Sequence, residues 1–176
     1  GDLRDPLQPG AWDLVLANAS LHWVPDHPAV LARWRDGLSP GGQLAVQVPA
    51  NADHPSHVVA AEVAASEPFA SAFGAPIPPD VVAANVLPPE AYARVLHDLG
   101  AERQHVRLQV YGHVLASAHD VVEWVKGTAL TRFRDLLPAE VYEDYLFAYR
   151  QRLVATLGDR SPFFYPFKRI LMWARF

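Results

Sequence analysis

Eight histidines and no cysteine decide much of the chemistry open to this 176-residue chain. Without a thiol there is no thiolate nucleophile, no disulfide and no cysteine metal site. The histidines come in two near pairs, His22 with His27 and His54 with His57. Neither pair has the four-residue spacing that puts two rings on one helix face, and neither brings an acidic third ligand, so no metal ion is expected. His105, His113 and His119 fall into no pattern. Among the cations, Lys126 closes the segment EWVKGT at a helix end, where an ammonium is favoured by the helix dipole and is ordinarily solvated. Arg169 stands in the apolar segment FKRILMWARF. By strand alternation it either reaches inward or faces solvent. Tyr145 and Tyr149 recur at helical spacing and read as packing.

The elements that would carry these residues follow from pattern and punctuation. Trp12–Asn18, WDLVLAN, is a nearly continuous apolar run, as expected of a parallel strand covered on both faces. Asp26, His27 and Pro28 open a helix in which Val30, Leu31, Trp34 and Leu38 recur at helical spacing. Ser39, Pro40, Gly41 and Gly42 are read as its stop and as a turn. Residues 43–48 form the next strand, so strand, helix and strand make one right-handed βαβ unit. Helices are predicted over 56–66, 88–99, 117–126 and 138–157, with an Ala/Pro-rich stretch over 68–79. Gly100 reads as a helix C-cap. Two late strands are predicted over 104–115, with Val106, Leu108 and Val110 on one face, and over 165–176.

Four strands with helices between them make an α/β protein. Apolar residues are 51% of the chain, charged ones 19%, and the net charge is −4. That balance predicts a soluble globular chain without the basic footprint of a nucleic-acid binder. No apolar run is long enough to span a bilayer, and no charged-then-apolar leader opens the chain, so neither membrane insertion nor export is expected. A cytoplasmic location is expected. The strand at Trp12–Asn18 would lie at a sheet edge although it is apolar on both faces, and such edges invite pairing. Self-association through that strand is therefore an open alternative to catalysis.

The segment WDLVLANASLHWVPDHPAVLARWRDGLSPGGQLAVQVP resembles the fourth strand, following helix and fifth strand of class I S-adenosylmethionine-dependent methyltransferases. The stretch around ANASLHWVPDH, the Pro55, Ser56, His57 run, VVEWVKGT and the final Tyr165, Pro166, Phe167, Lys168, Arg169 are similar, in order and spacing, to the trans-aconitate 2-methyltransferase family. The resemblance implies a partial Rossmann-like sheet, strands four to seven, with a helical lid. Residues 1–49, 102–116 and 165–176 would be sheet core, and 50–100 and 117–160 lid and substrate region. The last strand would run antiparallel beside the strand over 104–115. The family's glycine-rich cofactor turn has no counterpart here, because Gly41 and Gly42 precede a strand and do not follow one. The N-terminal cofactor-binding strands are accordingly expected to be absent, and the isolated chain is expected to bind S-adenosylmethionine weakly or not at all.

The same resemblance assigns roles. Asp2 and Leu3 would meet the adenine, and Asn18, Ala19 and Leu21 the methionine portion of S-adenosylmethionine. His22 would orient an acceptor carboxylate and Trp23 would wall the methyl site; the alternative makes His22 a turn cap and Trp23 core. A small polycarboxylic acid acceptor calls for cations, and the candidates are His57, Lys126, Arg132, Lys168 and Arg169, with Trp124 beside Lys126. The expected reaction is methyl transfer to a carboxylate of a trans-aconitate-like acid. A different small acceptor is the alternative within enzymes, since lid residues change specificity without changing the sheet.

Overall fold

The computed structural model describes residues 2–74, 76–77 and 79–176. Ala75 and Pro78, within the Ala/Pro-rich stretch, lie outside the described residues, as does Gly1. The strands are β1 (Trp12–Asn18), β2 (Leu38–Pro49), β3 (Arg103–Leu115) and β4 (Phe163–Arg175), in the sheet order β1-β2-β4-β3. β1 runs parallel to β2, and β4 runs antiparallel to β2 between β2 and β3. The sheet is therefore mixed, and the last strand lies beside the penultimate one as expected.

The chain forms two compact units. The first comprises Gly1–Ala50, Val81–Tyr111 and Lys168–Phe176, and the second comprises Asn51–Asp80 and Gly112–Phe167.

In the first unit, helix α1 (His27–Asp36) begins where Pro28 sets φ and the Asp26 carboxylate accepts the Ala29 N–H at 3.4 Å. Its buried face, Val30, Leu31 and Trp34, joins Leu44, Val46 and Val48 of β2 and Ile170 and Met172 of β4. A short helix covers Val81–Asn85, and another, Pro89–Asp98, adds Tyr92 and Leu96 to that core before Gly100 turns at φ 87°. One sheet face is thus a dry core. The other is not: Leu14 and Leu16 of β1 are 53% and 70% exposed. This corrects the reading of β1 as covered on both faces. Leu108 and Val110 of the β3 edge are likewise about half exposed.

A second correction concerns Ser39, Pro40, Gly41 and Gly42. They fall within β2, whose Leu38 already pairs with Trp12, but as an irregularity of it: the next pair is Leu14 with Gln43, so the four residues bulge out between the two pairings. The two glycines serve different purposes. Gly41 has φ 78°, a conformation L side chains rarely adopt. Gly42 has an ordinary φ, but a Cβ there would sit 2.8 Å from the Ser39 carbonyl and 3.2 Å from that of Trp12.

The second unit is helical except for the ends of β3 and β4. Its helices are Pro55–Ala64, Phe69–Ala72, Asp120–Lys126, Thr131–Arg134 and Ala139–Leu157, the last of these long and amphipathic. Val59, Val63, Phe133, Leu146 and Leu153 build its core. Tyr145 and Tyr149 are fully buried, as the helical spacing predicts. Their hydroxyls donate to the carbonyls of Ala60 at 3.0 Å and Ser56 at 2.8 Å, which fastens the long helix to the first one. Burial among apolar neighbours pushes both phenols well above their ordinary range.

Candidate functional site

In open α/β sheets, ligands sit beyond the carboxyl ends of the parallel strands. Here that end is marked by Asn18, which pairs with Gln47 of β2. Ala19 follows at φ 50°, left-handed backbone that a residue other than glycine adopts only when its surroundings enforce it. Its N–H is held by the Gln47 carbonyl at 3.0 Å. The chain then makes a single 3-10 turn, Leu21–Trp23, that fixes the next side chains. Leu21 is buried in the core, His22 is 6% exposed and Trp23 is 57% exposed. The rings of His22 and Trp23 lie 4.8 Å apart, and the Asn85 amide donates to the His22 carbonyl at 2.9 Å. Trp23 is therefore not a core residue, and the turn presents an indole to solvent beside a buried imidazole.

Asp2 and Leu3 reach the same strand from the side. They line a groove of about 310 Å³ together with Val15, Ala17, Ser20 and Trp34. The Trp34 indole N–H donates to the Leu3 carbonyl at 3.0 Å, which holds this segment against α1. Arg4 forks onto the Asp2 carboxylate at 2.9 and 2.6 Å. That contact keeps the Asp2 carboxyl well below the usual carboxylate range. Apolar walls with the side chains of Asp2, Asp5 and Ser20 as the polar groups suit a nucleoside base and ribose, so these residues fit an adenosyl group.

Arg169 pairs with Pro49 across the β2–β4 ladder. Its guanidinium donates to Gln47 Oε1 at 2.9 Å and lies 5.4 Å from the Tyr111 ring centroid. The alternation argument left its direction open; the structure turns it toward Gln47.

In the helical unit, His57 does not stand alone. Its Nδ1 is 2.7 Å from the Asp80 carboxylate, and Arg132 approaches the same oxygen at 3.9 Å. All three side chains are between 12% and 15% exposed. Trp124 packs against His113 at 4.7 Å and Tyr165 at 5.7 Å between ring centroids. Lys126 is exposed at the end of its helix. Among the described residues there is no cluster of three His, Cys, Asp or Glu side chains placed to hold a metal ion, and no helix is long and apolar enough to cross a membrane. Gln47, Asp80 and Asn85 escaped sequence reading. Gln47 is a lone polar residue in LAVQV, and nothing local to Asp80 or Asn85 marks a partner.

The fold, a mixed α/β sheet with a turn at the end of a parallel strand, is similar to that of class I methyltransferases. Residues 1–46 match the family model described as a methyltransferase domain. The YcgJ protein of Bacillus subtilis shares the fold, with a TM-score of 0.52 at 10% identity over 99% of this chain and 68% of that one. Over nearly its whole length the chain belongs to the trans-aconitate 2-methyltransferase family. It is 38% identical to the trans-aconitate 2-methyltransferase of Mycobacterium tuberculosis H37Ra, over 99% of this chain and 66% of that protein. It is 39% identical to that of Deinococcus radiodurans, again over 99% and 66%. It is 37% identical to that of Mycobacterium sp. strain KMS, over 99% and 68%. The chain thus spans about two thirds of the length of the curated relatives it matches.

Proposed function

We propose that the protein transfers the methyl group of S-adenosylmethionine to a carboxylate of a small polycarboxylic acid of the trans-aconitate type, giving a monomethyl ester, in the cytoplasm. The observation that carries this reading is the parallel pairing of β1 with β2, which puts the turn from Asn18 to Trp23 at the ligand end of the sheet. The names of the relatives point to the acceptor.

Bound S-adenosylmethionine supplies an electrophilic methyl carbon whose leaving group is a neutral thioether. An acceptor carboxylate is already ionised, so the protein removes no proton; a carboxylate oxygen forms the new bond to carbon as the carbon–sulfur bond breaks onto sulfur. The work left to the chain is alignment and exclusion of water. Asp2 and Leu3 hold the adenine, and Asn18, Ala19 and Leu21 the methionine portion. His22 orients the reacting carboxylate, and Trp23 walls the methyl site. His57, Trp124, Lys126 and Arg169 are assigned to the acceptor, His57 with its ring fixed by Asp80.

The test is methyl transfer by protein expressed from its complete reading frame, with methyl-labelled S-adenosylmethionine and trans-aconitate. Base-labile label in the acid is the expected product, and His22→Ala lowers kcat by about tenfold or more through lost alignment. Label appearing only on amine or hydroxyl acceptors would overturn the carboxylate reading.

A second reading rests on the exposed Leu14 and Leu16: β1 of the 176-residue chain pairs with a second copy. Light scattering of the wild type against Leu14→Lys/Leu16→Lys decides it. A monomer at all concentrations in both rejects it.

A further inference from the structure

Gln47 combines a fixed orientation with an unanswered donor. Its side chain is 8% exposed, and its Oε1 accepts from Arg169 at 2.9 Å. A guanidinium carries donors only, so this contact settles the amide: Oε1 faces Arg169, and Nε2 faces away. That Nε2 is buried and has no hydrogen-bond partner among the described residues. Buried amide donors are nearly always satisfied, and the exceptions call for an explanation. The location suggests one. Gln47 pairs with Asn18 at the carboxyl ends of the two parallel strands, on the opposite face of β2 from the buried Leu44, Val46 and Val48. A bound molecule carrying an acceptor would satisfy the amide there.

We propose that Gln47 and Arg169 form a carboxylate-recognition pair for the methyl acceptor, which rests on the polycarboxylic-acid reading above. Gln47 Oε1 holds the guanidinium in register over Tyr111. Gln47 Nε2 and the guanidinium then offer N–H donors to one carboxylate of the acid, an arrangement that discriminates against neutral groups. The carboxylate held this way is not the one that is methylated, because donors on both oxygens draw off the lone pairs a nucleophile needs. The pair therefore selects acids with at least two carboxylates.

The experiment uses protein from the complete reading frame and compares trans-aconitate with a monocarboxylate, crotonate. Gln47→Glu retains an oxygen for Arg169 and adds a negative charge. If Gln47 only pins Arg169, this variant keeps the wild-type KM. The expected result is a rise of about 100-fold in KM for trans-aconitate, the size of a lost charge-assisted contact. kcat at saturation and binding of S-adenosylmethionine stay within about twofold, and the much poorer turnover of crotonate is unchanged. Gln47→Met, which removes both amide functions, raises the same KM by about tenfold. In the wild type, the Gln47 side-chain amide resonance, assigned by its loss in Gln47→Met, shifts saturably with trans-aconitate.

An unaltered KM in a folded Gln47→Glu, or an amide resonance unmoved at saturating trans-aconitate, overturns the pair. The resonance decides alone if the glutamate variant does not fold. A wild type that methylates no carboxylic acid rejects the underlying reading; an active wild type with an indifferent Gln47→Glu rejects the pair only.

Discussion

The hydroxyl of Tyr92 lies 2.5 Å from Nδ1 of His27, and both rings are almost wholly buried. The hydroxyl also accepts the Leu87 N–H at 3.2 Å. Burial favours the neutral imidazole, and its tautomer sets which of the two groups donates. Burial depresses His27 below its ordinary value of 6.5, against the smaller opposing pull of the Leu21 and Val24 carbonyls, and pushes the Tyr92 phenol up to about 12.

A titration consequence follows from that neutral ring. The unfolded chain takes up a proton near pH 6.5, while the folded one resists it, so the unfolded state binds more protons in between. Stability is complete above that pH and falls as the pH drops toward the folded value, by up to about 1.4 kcal/mol per pH unit. Denaturation midpoints of wild type and His27→Gln between pH 7.5 and 5 measure it, and the wild-type slope is expected to be the steeper. Tyr92→Phe costs about 1–3 kcal/mol at pH 7, because the Leu87 N–H and the imidazole lose their partner together.

Asp80 is the carboxylate that the half-buried His57 imidazole and Arg132 guanidinium both approach. Burial lowers the pKa of Arg132, and the Asp80 charge works against that. Removing Asp80 takes away the carboxylate that offsets the burial of the cation, so Asp80→Ala is expected to cost about 3 kcal/mol in urea denaturation. Arg132→Met together with Asp80→Leu costs much less, because the cation is removed along with the carboxylate that offsets it. Equal losses in the single and double variants would show that Asp80 acts on something other than the cation.

Gly42 is held by closeness of backbone, not by its φ. A methyl group there meets the Ser39 carbonyl and the Leu38 Cβ at under 3 Å, and neither is the end of a flexible side chain. Gly42→Ala is expected to destabilise the protein by about 1–3 kcal/mol, the range for overpacking. Gly10, also at positive φ but with open space around its Cβ position, tolerates the extra atoms sterically and pays only in backbone conformation. Thermal melting of the two alanine variants separates these causes, with Gly42→Ala expected to melt lower.

Local chemistry made much of the framework legible in the sequence alone. β1 is a single apolar run with Gly and Pro outside it. α1 carries its own start signal in Asp26 and Pro28, and the helix ending at Asp98 carries its stop in Gly100. The long helix from Ala139 repeats its buried tyrosines, Tyr142, Tyr145 and Tyr149, at spacings of three and four residues. Each of these signals acts between neighbours in the chain, where hydrogen bonds and side-chain spacing depend on sequence separation. The turn from Asn18 to Trp23 directly follows β1, so its place in the chain was legible too.

What the sequence could not carry lies in contacts that close long loops. Gln47 and Arg169 are 122 positions apart, and His57 and Asp80 are 23 apart. No periodicity links such pairs, and only the antiparallel return of β4 beside β2 gives Arg169 a buried amide to hold. Tertiary structure likewise decided that Ser39, Pro40, Gly41 and Gly42 extend a strand. Taken alone they read as a turn; in the fold they bulge out of β2 between Leu38, which pairs with Trp12, and Gln43, which pairs with Leu14. It also decided that one face of β1 stays open to solvent: an apolar run states what burial would favour, and only the neighbouring elements determine which face is covered.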